Sequence, residues 1–346
     1  MAGPKIIPSG FQHWPAQANQ LAVDDVIKMY EGGFAGAYAE PQERDELRAM
    51  LDVPDAAFLT HLTGSGEGKL SIPFIFVEQI YGKEAYPGPA QSRGDCVSHS
   101  AKNACLVSLC CEVVAGQPDP VTGQLEGAPE VSPEGIKNGV LSSESVYWWR
   151  RHGSDGWSCP ASVKVMLQES GCAWPRRNYD EIGVDVTQYS GGVAGKWGSS
   201  TPPETVKGIG NQHLIRTATE CGTFEECRDL LANGYGITGC GSEGWSKSRD
   251  ENGVSNRSGS WAHSMAVVGA DDRDVIKAKY GGPLLLIINS WGKWNSGGRR
   301  ILGTEIDIPE GSYWAKWSDC DSRYHAALSS VNGWPARRLP DYGANF

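Results

Sequence analysis

At 346 residues with a formal charge of −10, the chain is long enough for two domains or one domain with a large extension, and it lacks the basic footprint that nucleic acid demands. No apolar run approaches a membrane span and the opening "MAGPKIIPSGFQHWP" lacks a signal peptide's apolar core, so a soluble cytoplasmic protein without a membrane partner is expected. Ten cysteines in a chain of this size without an export signal are expected as reduced thiols, and with no C-x-x-C spacing a structural metal site is not expected.

Residues 1–75 read as an appendage carrying two short helices, over 21–30 and 41–51, and then the loop "THLTGSGEGKL". That loop resembles a phosphate-binding loop but fails at both ends. Thr63 stands where the first glycine is required, and Leu70 follows Lys69 where Ser or Thr is needed, so a solvent-exposed connector is expected. From Cys96 to about Ala115 the pattern is helical and apolar nearly all round, with Lys102 and Glu112 its only charges, which predicts a helix buried on most sides. Further helices are expected in "SSESVYWWRR", in "PASVKVMLQES" and after the capping box Thr223–Glu226, the last with Phe224, Cys227, Leu230 and Leu231 on one face and Gly234 at its end. Strands are then expected in "YGITGCG", "WAHSMAVVGAD", "PLLLIINSW" and "GSYWAKW". Helices first and strands afterwards imply an α+β protein with two layers of different character.

Cys96 opens the apolar helix, where the positive end of the macrodipole favours a thiolate. A thiolate nucleophile needs an acid/base partner. His263 sits among small residues in "SWAHSMAVVGADD", where a polar ring would be costly to bury without purpose, and Asn289 and Trp291 end the following strand. An amide oxygen can orient an imidazole and an indole can shield that bond from water. His99, one helical turn after Cys96, competes as a partner but is expected to be a packed, hydrogen-bonded residue.

Gln91, Gly94-Asp95-Cys96 at a helix start, His263 in "HSMAVVG" and the "NSWG" element at Asn289–Gly292 resemble the papain family of cysteine peptidases, in that family's order. The resemblance covers roughly residues 85–330. It implies a papain-like two-domain fold: a helical domain over 76–205 with the nucleophile, a β-rich, barrel-like domain over 206–335 with the His and Asn, an N-terminal extension over 1–75 and a tail over 336–346. It further implies Cys96 as nucleophile paired with His263, Asn289 as orienter of the ring, Trp291 as its support, and an oxyanion hole of the Cys96 N–H and the Gln91 amide. Gly156 and Trp157 would bind substrate backbone, and Trp261 would narrow a pocket so as to prefer small residues at the second position before the cleaved bond. The expected substrate is a protein or peptide and no cofactor is expected.

The chain also departs from that family's pattern. Gln91 stands one position closer to Cys96 than is usual, Val97 replaces an aromatic residue, Arg93 replaces a cysteine and Trp157 crowds the cleft. The separation of Cys96 from His263 exceeds the ~130–150 residues of better-known members. An endopeptidase is the leading reading, with residues 1–75 as an inhibitory or folding segment or an arm for assembly partners. The alternatives are a weak or inactive papain-like scaffold, for example in a viral particle, where it would resemble some bacteriophage-encoded members, and a hydrolase of peptidoglycan peptides. The thirteen tryptophans are expected mainly in the core.

Overall fold

The computed structural model describes residues 37–38, 63–115, 128–168, 173–211, 215, 218–320 and 323–328. The helices expected within 21–51, and the tail over 336–346, lie outside the described residues. In chain order the elements that build the site are strand β1 (Ala37–Tyr38), strand β2 (Leu70–Ser71), helix α1 (Phe74–Tyr81), helix α2 (Cys96–Ala115), strand β3 (Trp157–Ser158) and helix α3 (Cys159–Gln168). They are followed by β4 (Ala218–Glu220), helix α4 (Phe224–Ala232), β5 (Gly236–Arg249), β6 (Ser255–Asp271), β7 (Leu284–Ile288), β8 (Ser312–Lys316) and β9 (Tyr324–Leu328). The α+β class expected from the sequence is the class observed.

Helix α2 is the axis of the molecule, buried from Cys96 through Glu112. An apolar helix exposes no polar face, so it must be covered on all sides, and here the sheet covers one of them. Ser100 Oγ lies 2.7 Å from Thr238 Oγ1 of β5. Ser108 Oγ donates to Leu328 O of β9 at 2.6 Å and accepts from Gly236 N at 2.9 Å. Gly236 is required by this approach, because a Cβ there would sit 2.2 Å from the Ala104 carbonyl oxygen.

The sheet runs β8-β7-β6-β5-β9-β4 with antiparallel neighbours, and β2 adds to the end of β6 through Leu70↔Asp271. The β5–β6 hairpin extends well beyond the expected strands. Asp250 makes its turn by accepting the N–H groups of Asn252 and Val254 on one carboxylate oxygen, the usual device by which an Asp caps a tight reversal. Helix α4 opens with the expected capping box between Thr223 and Glu226, and its expected apolar face is buried.

Two expectations are corrected. The glycine loop over 63–69 is not a free connector. Asp229 accepts the N–H groups of Gly64 and Gly66, and Asp272 accepts that of Gly68, while Arg228 bridges the two carboxylates. The loop N–H groups that a phosphate would need are thus held by protein carboxylates. The thiols are not all reduced either. Cys159, at the start of α3, is bonded to Cys240 of β5, with Cα atoms 6.4 Å apart, because α3 sets its first turn against the sheet at Ser264. The other described cysteines are buried and not disulfide-bonded. Among the described residues no helix is long and apolar enough to cross a membrane.

Lys102 is buried in α2 and donates to Gly139 O at 2.9 Å. Burial, and secondarily Arg176, pulls its proton affinity down to about 7 from an ordinary 10.5, against Glu144. Below pH 7 both folded and unfolded chains carry the charge and the full cost of burying it is felt. From 7 to 10.5 the folded chain sheds its proton first, so stability rises with pH across that window. Lys102→Met should therefore stabilise the fold at pH 6 by on the order of 4 kcal/mol, and the gain should vanish near pH 10.5. Urea midpoints of both proteins at pH 6 and pH 10 check this; an equal gain at both would refute it.

Candidate active site

Cys96 is the first residue of α2, and the turn before it is held from three directions. The Gly94 carbonyl accepts from Tyr147 Oη at 3.0 Å and from Gly156 N at 3.0 Å. The Tyr189 hydroxyl accepts from Ser92 N and donates to the buried Asp95 carboxylate, each at 3.0 Å. Arg93 meets Asp155 at 2.9 Å, an ion pair that ties the turn before Cys96 to the Gly156 loop. His99 directs Nε2 at Ser143 Oγ (3.1 Å) and Asp95 Oδ2 (3.5 Å), as a packed residue would.

His263 lies in β6 and Asn289 just past β7, and the antiparallel pairing of those strands brings them together. His263 Nε2 donates to Asn289 Oδ1 at 2.8 Å, and the same oxygen accepts from Ser290 N at 2.7 Å. An acceptor-only oxygen facing Nε2 selects the Nε2–H tautomer and leaves Nδ1 as the basic nitrogen. Trp291 stacks on the ring with centroids 4.7 Å apart and planes 22° apart. Cys96, His263, Asn289 and Trp291 are all 0% exposed. Burial, with Arg323 and His99 adding to it against the Asn289 bond, pushes the His263 ring down to about 3, so the resting imidazole is neutral.

Gln91 also reaches this cluster. Its backbone N–H donates to Ser290 O at 2.7 Å and its side-chain oxygen accepts from Ser290 Oγ. Its Nε2 donates to Arg93 O at 2.6 Å, which uses one of the two protons that an amide nitrogen carries. The shortened spacing therefore still sets Gln91 beside the "NSWG" element.

The three residues expected to bind substrate are placed differently from one another. Gly156 has φ +85° and adjoins Cys96's turn. Trp157 is buried against Tyr147 and belongs to β3, which pairs in parallel with β1 through Ala37↔Trp157 and Tyr38↔Ser158. Trp261 does not stand on an open pocket wall. It is 2% exposed and meets Trp291 edge-on at 4.8 Å, with Trp245 and Trp294 around it. The strand period explains this: residues 261 and 263 share one face of β6, so Trp261 packs into the aromatic layer on the His263 side. Sequence reasoning missed Arg323, which donates to the His263 carbonyl oxygen at 3.1 Å. A lone Arg before the apolar run "YHAAL", with Glu243 between glycines in a strand, was the available signal. Among the described residues no group of three or more His, Cys, Asp or Glu side chains is arranged to hold a metal ion.

Solved structures similar to this chain include xylellain, a cysteine protease from Xylella fastidiosa, at 14% identity over 71% of this chain and 82% of that one, TM-score 0.44. The Amb a 11 cysteine protease, a major ragweed pollen allergen, in its proform, is 13% identical over 92% and 96%, TM-score 0.42. Procathepsin B S9 from Trypanosoma congolense is 10% identical over 92% and 85%, TM-score 0.39. The neighbours are papain-like cysteine proteases and the likeness is one of fold. No family model and no curated protein matches the sequence.

Proposed function

We propose that the chain is a papain-like cysteine endopeptidase acting on proteins or peptides, with a cleft held closed by its own N-terminal strand. The observation that carries this reading is the His263 Nε2–Asn289 Oδ1 bond of 2.8 Å beneath a stacked Trp291, on strands packed beside the helix that Cys96 opens. A histidine whose Nε2–H is fixed in this way presents Nδ1 for chemistry.

In this reading the Cys96 sulfur, its proton held by His263 Nδ1, attacks the peptide carbonyl carbon and the C=O pair moves onto oxygen. The Cys96 backbone N–H and the Gln91 amide stabilise that oxyanion. The oxyanion collapses, the C–N bond breaks, and His263 protonates the leaving amine. Water, deprotonated by His263, then attacks the thioester, and the C–S bond breaks to release the acid and restore Cys96. Gly156 and the β3 edge supply the rail along which a substrate strand pairs, since β1 already occupies it in parallel.

The test is alkylation of Cys96 by iodoacetamide from pH 4 to 9, mapped by mass spectrometry on protein nicked upstream of Thr63. Cys96 should react as a thiolate well below the ~8.5 of an ordinary thiol, and His263→Ala should cut the rate at pH 5 by about 100-fold. Nicked protein in which Cys96 behaves as an ordinary thiol, unaffected by His263→Ala, would refute the reading. The second reading, a papain-like scaffold with a structural or binding role, would then stand on the full burial of all three residues.

A further inference from the structure

Arg323 immediately precedes β9, yet its guanidinium works at β6. β9 pairs with β5 through Tyr324↔Cys240, and β5 pairs with β6 through Gly241↔His263. From there Arg323 donates to His263 O at 3.1 Å, to Gly239 O at 3.3 Å and to Glu243 Oε2 at 3.0 Å, with its cation 5.3 Å from the Trp245 ring centroid. Both members of the ion pair are buried. Gly241, opposite His263, makes room for them: a Cβ there would lie 2.2 Å from Glu243 Oε2 and 2.6 Å from Arg323 Cγ. The register shift in β5 between Gly241 and Glu243 delivers the carboxylate to this spot.

We propose that the buried Arg323–Glu243 pair positions His263, by fixing the backbone carbonyl of that residue and by setting the electrostatic background against which the ring accepts a proton. A buried pair is a poor source of net stability, and this one grips the residue whose ring must be held. Its charges lie directly behind the strand that carries the ring. Asn289 and Trp291 approach from the end of β7, the charge of His99 acts from the first turn of α2, and Arg323 and Glu243 lie behind the strand. Arg323 alone would oppose an imidazolium, and Glu243 offsets it. Burial foremost, and Arg323 with it, already holds the ring's proton affinity down.

The inference rests on the peptidase reading for its purpose, but its test does not. In the full chain, the His263 ring nitrogens are followed by NMR from pH 5 to 8, assigned by His263→Ala, and Cys96 alkylation and peptide hydrolysis are read on the same proteins after nicking upstream of Thr63. The wild-type ring should stay neutral with its proton on Nε2. Arg323→Gln should raise the ring's proton affinity by at least one pH unit, seen as partial protonation at the acid end of that range, whereas Arg323→Lys should restore the neutral ring. Glu243→Gln should leave the ring neutral and lower Cys96 alkylation about ten-fold, because bare Arg323 then faces any imidazolium. KM should stay within two-fold of wild type while kcat falls. Folded Arg323→Gln protein with an unchanged ring and alkylation within two-fold of wild type overturns the proposal. Should that variant not fold, Arg323→Met/Glu243→Met removes both charges together; unchanged alkylation and turnover in it would overturn the proposal equally. A responsive ring in a protein that hydrolyses no peptide supports the pair and refutes the peptidase. An unresponsive ring in an active peptidase does the reverse.

Discussion

Nicking the chain between residues 38 and 63 is expected to raise Cys96 alkylation at pH 6 by about 100-fold. In the intact chain Cys96 and His263 are 0% exposed, and β1 is laid in parallel on β3, which adjoins the nucleophile turn through Gly156. A two-residue strand pairing is a weak contact taken alone. It persists because both strands belong to one chain, and an intramolecular partner gains ~10²–10⁴ in apparent affinity over a free one. Cutting the tether converts the occupant into an ordinary competitor that leaves. Water then reaches the ring, the desolvation that holds His263 down to about 3 relaxes, and a thiolate–imidazolium pair becomes affordable. Mass-spectrometric mapping of Cys96 before and after nicking and gel filtration measures this. An unchanged rate after the N-terminal piece has left would show that something other than β1 closes the site.

Gly236→Ala should produce a large loss of stability at the contact of α2 with the sheet. Its Cβ would lie 2.2 Å from the Ala104 carbonyl oxygen and 2.8 Å from that residue's carbonyl carbon. Backbone cannot rotate aside as a flexible side chain can, so helix α2 and strand β5 must part. Overpacking of this kind costs ~1–3 kcal/mol and sometimes more. We expect about 3 kcal/mol, a fall in Tm of roughly 6–12 °C for a domain of this size, read by thermal unfolding. Activity should fall further than stability accounts for. The helix that moves carries Cys96, and the sheet it leaves carries His263, so in the proposed reading even a fraction of an ångström disturbs their alignment. A Tm within 2 °C of wild type would show that the interface yields more easily than its packing implies.

Much of this was legible in the sequence for identifiable reasons. A run as apolar all round as "CVSHSAKNACLVSLCC" has no solution except a central helix, and α2 is that helix. Thr223 and Glu226 satisfy one another's backbone locally, so no tertiary information was needed to start α4. The structure places His263 and Asn289 in hydrogen-bond contact under Trp291, with Gln91 on Ser290, which is the arrangement the family resemblance implied for those four residues. What escaped depends on contacts between residues distant in the chain. The pinning of the glycine loop needs Asp229 and Asp272 from two other elements. The pairing of β1 with β3, the Cys159–Cys240 bond and the Arg323–Glu243 pair likewise join segments that no periodicity relates. Strand alternation puts Trp261 on the face of His263, where it packs into the aromatic layer.

The Cys159–Cys240 bond sets two chemical demands against each other. In the proposed reading Cys96 attacks as a reduced thiolate, which calls for thiol reductant. The same reductant can sever the covalent strap between α3 and β5, which anchors the helical layer to the strand beside His263. Disulfides persist where the surroundings are oxidising. Activity measured against reductant should therefore rise and then fall, with its maximum where the nucleophile is free and the strap is still closed.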